Sequence, residues 1–272
     1  MMKKNRILIK YGGNAMRNAG ITREMMEQVY KLYLENNQVI LVHGGGPFIE
    51  ENLKRAGVTS EFIGGHRKTT PEAMKYIEMA LKGDVNSRLV GLFNQLGGKA
   101  VGISGKDGRL AVAEKRMVYG ENNEQIDLGH VGDVTTVNPE LLYVLLDNGF
   151  LPVIASVATS IDGKDYNVNA DMFAGVLAGK LAVDQFVLLT DVDGLRRNPK
   201  KPETLMPRLH AADISGLTGN VIQGGMIPKT EACRTALELG AGMAVITNGT
   251  QPDYLLKALQ EDDFENATKI IL

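Results

Sequence analysis

Short apolar runs alternate along the chain with stretches in which apolar residues recur every three or four positions. RILIK (6–10), QVILV (38–42), KAVGI (99–103), LPVIA (151–155), QFVLL (185–189), MAVIT (243–247) and TKIIL (268–272) are short, bounded by polar residues and mostly β-branched. Such runs predict buried strands. Helical spacing predicts helices over 21–36, from Pro47 to about Arg55, and over 138–148, 170–180, 225–239 and 252–260. The longest pattern, 71–96, carries Met74, Ile77, Leu81, Val85, Leu89, Phe93 and Leu96 on one stripe, with a break expected near Gly83. Leu110–Val118 and Val131–Thr136 read as hairpin or lid strands, and IDGKDY (161–166) as a further hairpin. Strands alternating with helices predict a mainly parallel α/β sheet covered on both faces. No internal repeat interrupts the alternation, and a lobe boundary is expected at residues 180–185.

Composition narrows the class. A length of 272 residues suits one large α/β domain or two closely joined lobes. Apolar residues make up 44% and charged residues 23%, as in ordinary globular proteins. Thirty basic against thirty-two acidic side chains leave no global field for nucleic acid or a membrane surface. An anionic ligand must therefore be met by a few placed cations. Cys233 is the only cysteine, so no intramolecular disulfide can form, and a reducing compartment fits. MMKKNRILIK lacks the apolar core of a signal peptide, and no apolar run approaches the roughly 20 residues of a membrane-spanning helix. A cytoplasmic location is expected.

Ligands of open α/β sheets bind beyond the carboxyl ends of the strands. Three such ends carry unusual residues: Lys10-Tyr11-Gly12-Gly13-Asn14, His43-Gly44-Gly45-Gly46-Pro47, and Thr190-Asp191-Val192-Asp193-Gly194. Two glycine-rich loops in neighbouring strand–helix units make an anion site from backbone N–H groups, and Lys10 adds a cation. Neither loop has the spacing of a Walker A motif or of a dinucleotide fingerprint. In GGMIPKTEA (224–232), Lys229 stands in the first turn of a predicted helix, where the macrodipole disfavours a cation and an anionic ligand would favour one. In YNVNAD (166–171), Asn167 or Asn169 can cap the next helix. Asp171 in the first turn is what the dipole favours anyway, and it can also brace two lysines. Arg67, in the polar loop GGHRKTT (64–70), can grip a carboxylate with two parallel hydrogen bonds. The four histidines show no metal-ligand spacing, and Cys233 falls within a helix pattern as core.

IKYGGNAM, LVHGGGP, VNSRLV, AVGISGKDG, LGHVGDV, YNVNAD, LLTDVDG and GGMIPK follow one another in order between Ile7 and Asn248. With these motifs the chain resembles the amino-acid kinase family, most of all the branch that phosphorylates N-acetyl-L-glutamate. The resemblance implies a three-layer αβα sandwich, an N-terminal substrate lobe (about 1–182) and a C-terminal nucleotide lobe (about 183–272). It implies transfer of a phosphoryl group from ATP, with Mg²⁺ held mainly by the nucleotide phosphates, to the side-chain carboxylate of N-acetyl-L-glutamate, the second step of arginine biosynthesis. Lys10 and Lys229 would then stabilise the migrating group and Asp171 organise them. Gly44 and Gly45 would contact substrate and phosphate through N–H groups, joined by Gly12 and Gly13. Arg67 and Asn167 would bind substrate, and Thr190, Asp191, Val192, Asp193, Gly194 and Leu195, with Val221, Ile222 and Gln223, the nucleotide.

His66 and Lys68 beside Arg67 depart from the family pattern, as does the glycine-poor approach to the last strand. They leave a carrier-linked aminoadipate or glutamate as an alternative substrate, and a non-catalytic sensor as an alternative class. Few residues precede the first strand, so a homodimer without arginine feedback is expected, with the 71–96 helix as its contact face.

Overall fold

A computed structural model describes residues 4–119, 123–260 and 265–272. The first half runs β1 (Arg6–Tyr11), α1 (Ala19–Leu34), β2 (Gln38–His43), α2 (Gly46–Arg55), β3 (Glu61–Ile63), β4 (His66–Lys68), α3 (Pro71–Glu78), α4 (Ser87–Gln95) and β5 (Ala100–Ser104). Next come β6 (Ala111–Tyr119), β7 (Gln125–Val137), α5 (Glu140–Asp147), β8 (Leu151–Ala155), β9 (Val157–Thr159), β10 (Asp165–Val168) and α6 (Ala170–Lys180). The chain ends with β11 (Gln185–Thr190), β12 (Arg208–His210), α7 (Ile214–Leu217), α8 (Met226–Glu238), β13 (Met243–Asn248), α9 (Tyr254–Leu259) and β14 (Ala267–Ile271).

An eight-stranded sheet, in the order β12-β14-β13-β11-β1-β2-β8-β5, forms the middle layer. The six strands from β13 to β5 are all parallel, while β14 runs antiparallel to β13 and carries β12 parallel to itself at the edge. Side-chain alternation divides the core in two. Leu8, Ile40, Ile154, Leu188 and Ile246 face α5, α6 and α8, whereas Ile9, Leu41, Val153 and Val187 face α1, α4 and α9. The αβα layering is thus the period-2 strand pattern made solid. A second, small closed sheet of β6, β7, β9 and β10 stands apart from the main one.

Three local features differ from the expectation. Residues 71–96 do not break at Gly83: Met79–Asn86 forms a π-helical segment that joins α3 to α4 without interruption. Arg67 lies on β4 of a hairpin, not in a loop, because Gly64 and Gly65 at φ 55° and 80° supply the turn. β12 and α7 fold within a stretch whose sequence shows no periodic pattern.

Candidate active site

Because β1 and β2 are parallel neighbours, with Lys10 opposite Val42 and Tyr11 opposite His43, their glycine-rich exits meet at one end of the sheet. A Cβ at Gly13 would lie 3.0 Å from Gly46 N, and one at Gly44 would lie 2.9 Å from the Ala170 Cβ. The contact at Gly44 is closer than real Cβ atoms come, and the one at Gly13 is tighter than nearly all of them, so both positions favour glycine for room. None of Gly44, Gly45 and Gly46 lies in the left-handed region, with Gly45 at an extended φ of 177°, so the run serves close approach and not a left-handed turn.

The N-terminus of α6 points at the same place. Asn169 caps it through Asp171 N (2.9 Å) and Met172 N (3.2 Å), which settles the capping residue and leaves Asn167 facing Thr69. Gly175 and Gly179 let α8 pack directly on α6: a Cβ at either would lie 2.4 Å from Ala232 O or from the Leu239 Cβ. That contact carries Lys229, in the first turn of α8, to Asp171, in the first turn of α6.

Lys10 Nζ is 2.5 Å from Asp171 Oδ1, and Lys229 Nζ is 3.0 Å from Oδ2. The three side chains are 6%, 8% and 18% exposed for Lys10, Asp171 and Lys229. Burial alone would push the Asp171 carboxyl up, but the two ammonium groups outweigh it and hold it below the usual carboxylate range. Burial pulls Lys10 below the ordinary lysine value; Asp171 opposes this shift and the nearby Lys229 adds to it.

A cavity of about 220 Å³ opens beside this cluster, lined by Lys10, Gly44, Gly45, Arg67, Asn167 and Asp171. The Arg67 guanidinium bonds to Glu50 Oε2 at 2.5 Å and to Ser60 Oγ, and stacks over Phe62 at 4.5 Å. Lys68 points away to Glu61, 3.2 Å distant across the hairpin, so it brings no second cation to the cavity. Gly12 differs from Gly44 and Gly45 in role: its N–H is spent on Leu189 O at 3.2 Å. What glycine supplies there is space, since a Cβ would stand 3.0 Å from the Leu189 carbonyl oxygen.

A second cavity of about 180 Å³ is lined by Val192, Gly194, Leu195, Val221, Gln223 and Met226. Thr190 is buried at the end of β11, and Ile222 is in the core. Asp191 is exposed near Asn14, and Asp193 is held by Arg196 (2.6 Å) and Asn248 (2.8 Å). Those four shape the pocket's surroundings without lining it.

Sequence reasoning missed Glu50, Ser60 and Phe62, which together set the Arg67 side chain. They come from a helix and a hairpin whose pairing no local pattern announces. It also missed Asn86, buried in the π-helical segment and bonded to His43.

The family model described as the amino acid kinase family matches residues 5–248. Acetylglutamate kinase of Archaeoglobus fulgidus is 44% identical over 254 residues, covering 92% of this chain and 88% of its own length. Acetylglutamate kinase of Geobacter metallireducens is 44% identical over 248 residues, covering 89% and 84%. Among solved structures, smu.665 of Streptococcus mutans superposes with TM-score 0.76 at 28% identity, over 90% of this chain and 95% of that one. Carbamate kinase of Giardia lamblia bound to AMP-PNP superposes with TM-score 0.70 at 18% identity, over 100% and 99%, a likeness of fold alone.

Proposed function

The chain belongs to the amino acid kinase family, and from that premise we infer its chemistry. It is a kinase that phosphorylates N-acetyl-L-glutamate at the expense of ATP, as the acetylglutamate kinases at 40–44% identity over most of the chain support. The acceptor is the side-chain carboxylate and the product an acyl phosphate.

A carboxylate is already an anionic nucleophile at neutral pH, so it needs no general base. The barrier lies in bringing two anions together in line and neutralising the charge between them. Lys10 and Lys229 neutralise it. Asp171 holds both ammonium groups in place and is itself too fully engaged to act as a base. The N–H groups of Gly44 and Gly45 hold substrate and the migrating phosphoryl group. Arg67 grips a substrate carboxylate, with Glu50 and Phe62 fixing its orientation, and Asn167 meets a polar group of the same ligand. The nucleotide occupies the Val192–Leu195 and Val221–Gln223 side. Among the described residues, no three His, Cys, Asp or Glu side chains converge as a metal cage. An Mg²⁺ ion would be carried on the nucleotide phosphates, where it would screen their charge.

The observation that carries this reading is the convergence of Lys10, Asp171 and Lys229 beside the cavity. Trapping the acyl phosphate with hydroxylamine tests it: N-acetyl-L-glutamate with ATP should give a hydroxamate, and Lys10→Ala or Lys229→Ala should lose most of it. Full turnover in Lys229→Ala would refute the assignment. The protein works in the cytoplasm as a homodimer joined along the α3–α4 helix, where Met79 is 61% exposed. A single-chain mass by light scattering would refute the dimer.

A further inference from the structure

His43 ends β2 immediately before the glycine run, and its ring is fully buried. Asn86 closes the π-helical segment and reaches the same ring. Asn86 Nδ2 lies 2.9 Å from Val153 O and 3.4 Å from Ile103 O. Carbonyl oxygens only accept, so the amide nitrogen, and not its oxygen, must face them. The same nitrogen lies 2.9 Å from His43 Nε2, so Nε2 must accept. The one ring proton is then on Nδ1, which donates to Gly44 O at 3.0 Å.

This bond fixes the plane of the Gly44–Gly45 peptide. In a trans peptide the carbonyl and the following N–H point in opposite directions, and no cis bond occurs among the described residues. With Gly44 O turned to the buried ring, the Gly45 N–H is turned the other way. Room for Asn86 comes from Gly102, where a Cβ would fall 2.1 Å from Asn86 Oδ1.

We propose that His43 and Asn86 are a positioning pair that aims the Gly45 N–H at the migrating phosphoryl group. The proposal rests on Gly45 being a donor in the reaction described above. Neither side chain touches substrate; they act through the peptide. The widened turn of Met79–Asn86 belongs to the same device, since it places Asn86 between β2, β5 and β8.

Three variants separate the two hydrogen bonds. Asn puts its amide nitrogen, a donor, where His has Nδ1, and Gln puts its amide oxygen, an acceptor, where His has Nε2. His43→Asn therefore keeps the bond to Gly44 O, His43→Gln keeps the contact with Asn86, and His43→Leu keeps neither. In the hydroxamate assay, His43→Asn should stay within about threefold of the parent kcat, while His43→Gln and His43→Leu fall by about tenfold or more. KM for N-acetyl-L-glutamate should change less than kcat. Equal kcat in all three variants would overturn the proposal. Independently of any variant, ¹⁵N NMR of the histidine-labelled parent protein at neutral pH should show His43 protonated at Nδ1 alone. A proton on Nε2 would overturn it. If the parent protein formed no hydroxamate, the functional reading would fall instead, while the tautomer would still report on the pair.

Discussion

Asp171→Asn removes the single carboxylate held between two lysines while keeping the side-chain volume. Among the described residues, Asp171 is the only acidic group within ion-pair distance of Lys10 or Lys229. At 3.0 Å from Lys229, and with an effective dielectric near 20, the gross attraction is about 5 kcal/mol. Desolvation cancels part of that, and breaking one partner of such a pair costs about 3–5 kcal/mol. Asp171→Asn should lose that much stability in urea unfolding at pH 7, because two buried ammonium groups then repel each other unscreened. Lys229→Met should cost less, since Asp171 keeps Lys10 at 2.5 Å. The double variant should be more stable than the sum of the single losses predicts, by about 1–3 kcal/mol, because Asp171→Asn has already unpaired the charge that Lys229→Met removes. In the hydroxamate assay each single variant should lose about 100-fold or more in kcat, and the double variant little beyond the worse single one. A coupling energy below about 0.5 kcal/mol would refute the claim that one carboxylate organises both lysines.

Arg67→Ala should raise KM for N-acetyl-L-glutamate by about 10- to 100-fold, the worth of a charge-assisted pair, with kcat changing less; an unchanged KM would remove Arg67 from substrate binding. Gly44→Ala, whose Cβ would lie 2.9 Å from the Ala170 Cβ, should separate the β2 exit from α6 and lower kcat without unfolding the protein by circular dichroism. His43 is pulled down to about 4 from 6.5, chiefly by burial, with the Gly44 hydrogen bond opposing and the Lys82 and Arg88 charges adding to it. The unfolded chain therefore binds the extra proton between those values, so its contribution is whole above pH 6.5 and lost as pH falls toward 4. The parent protein should lose about 3 kcal/mol across that window relative to His43→Asn; parallel stability curves would refute it.

The strands were legible because parallel strands buried on both faces must be continuous apolar runs. The lysines and glycines stood out because they occupy strand ends and a helix start, where a cation or an unhindered backbone does little for stability. The polar loop 64–70 misled because HRK carries no strand pattern; only pairing of Glu61 with Lys68 and Phe62 with Arg67 makes it a hairpin. Gly12 misled because its N–H partner, Leu189 O, comes from a strand more than 170 residues away. The π-helical segment was invisible because the bonds of its Asn86 go to three strands remote in sequence, and no local pattern announces them.

By itself, then, the order of residues along this chain determined the alternating architecture, the two glycine-rich exits and the identities of the charged groups, because these follow from short-range periodicity and from side-chain chemistry. The tertiary structure decided which of those groups meet: that α6 and α8 approach closely enough to join Asp171 to Lys229, that Glu50 orients Arg67, and that a buried histidine and asparagine lie behind the glycine run. Distance between side chains from remote segments depends on how whole layers pack, and no local pattern encodes that.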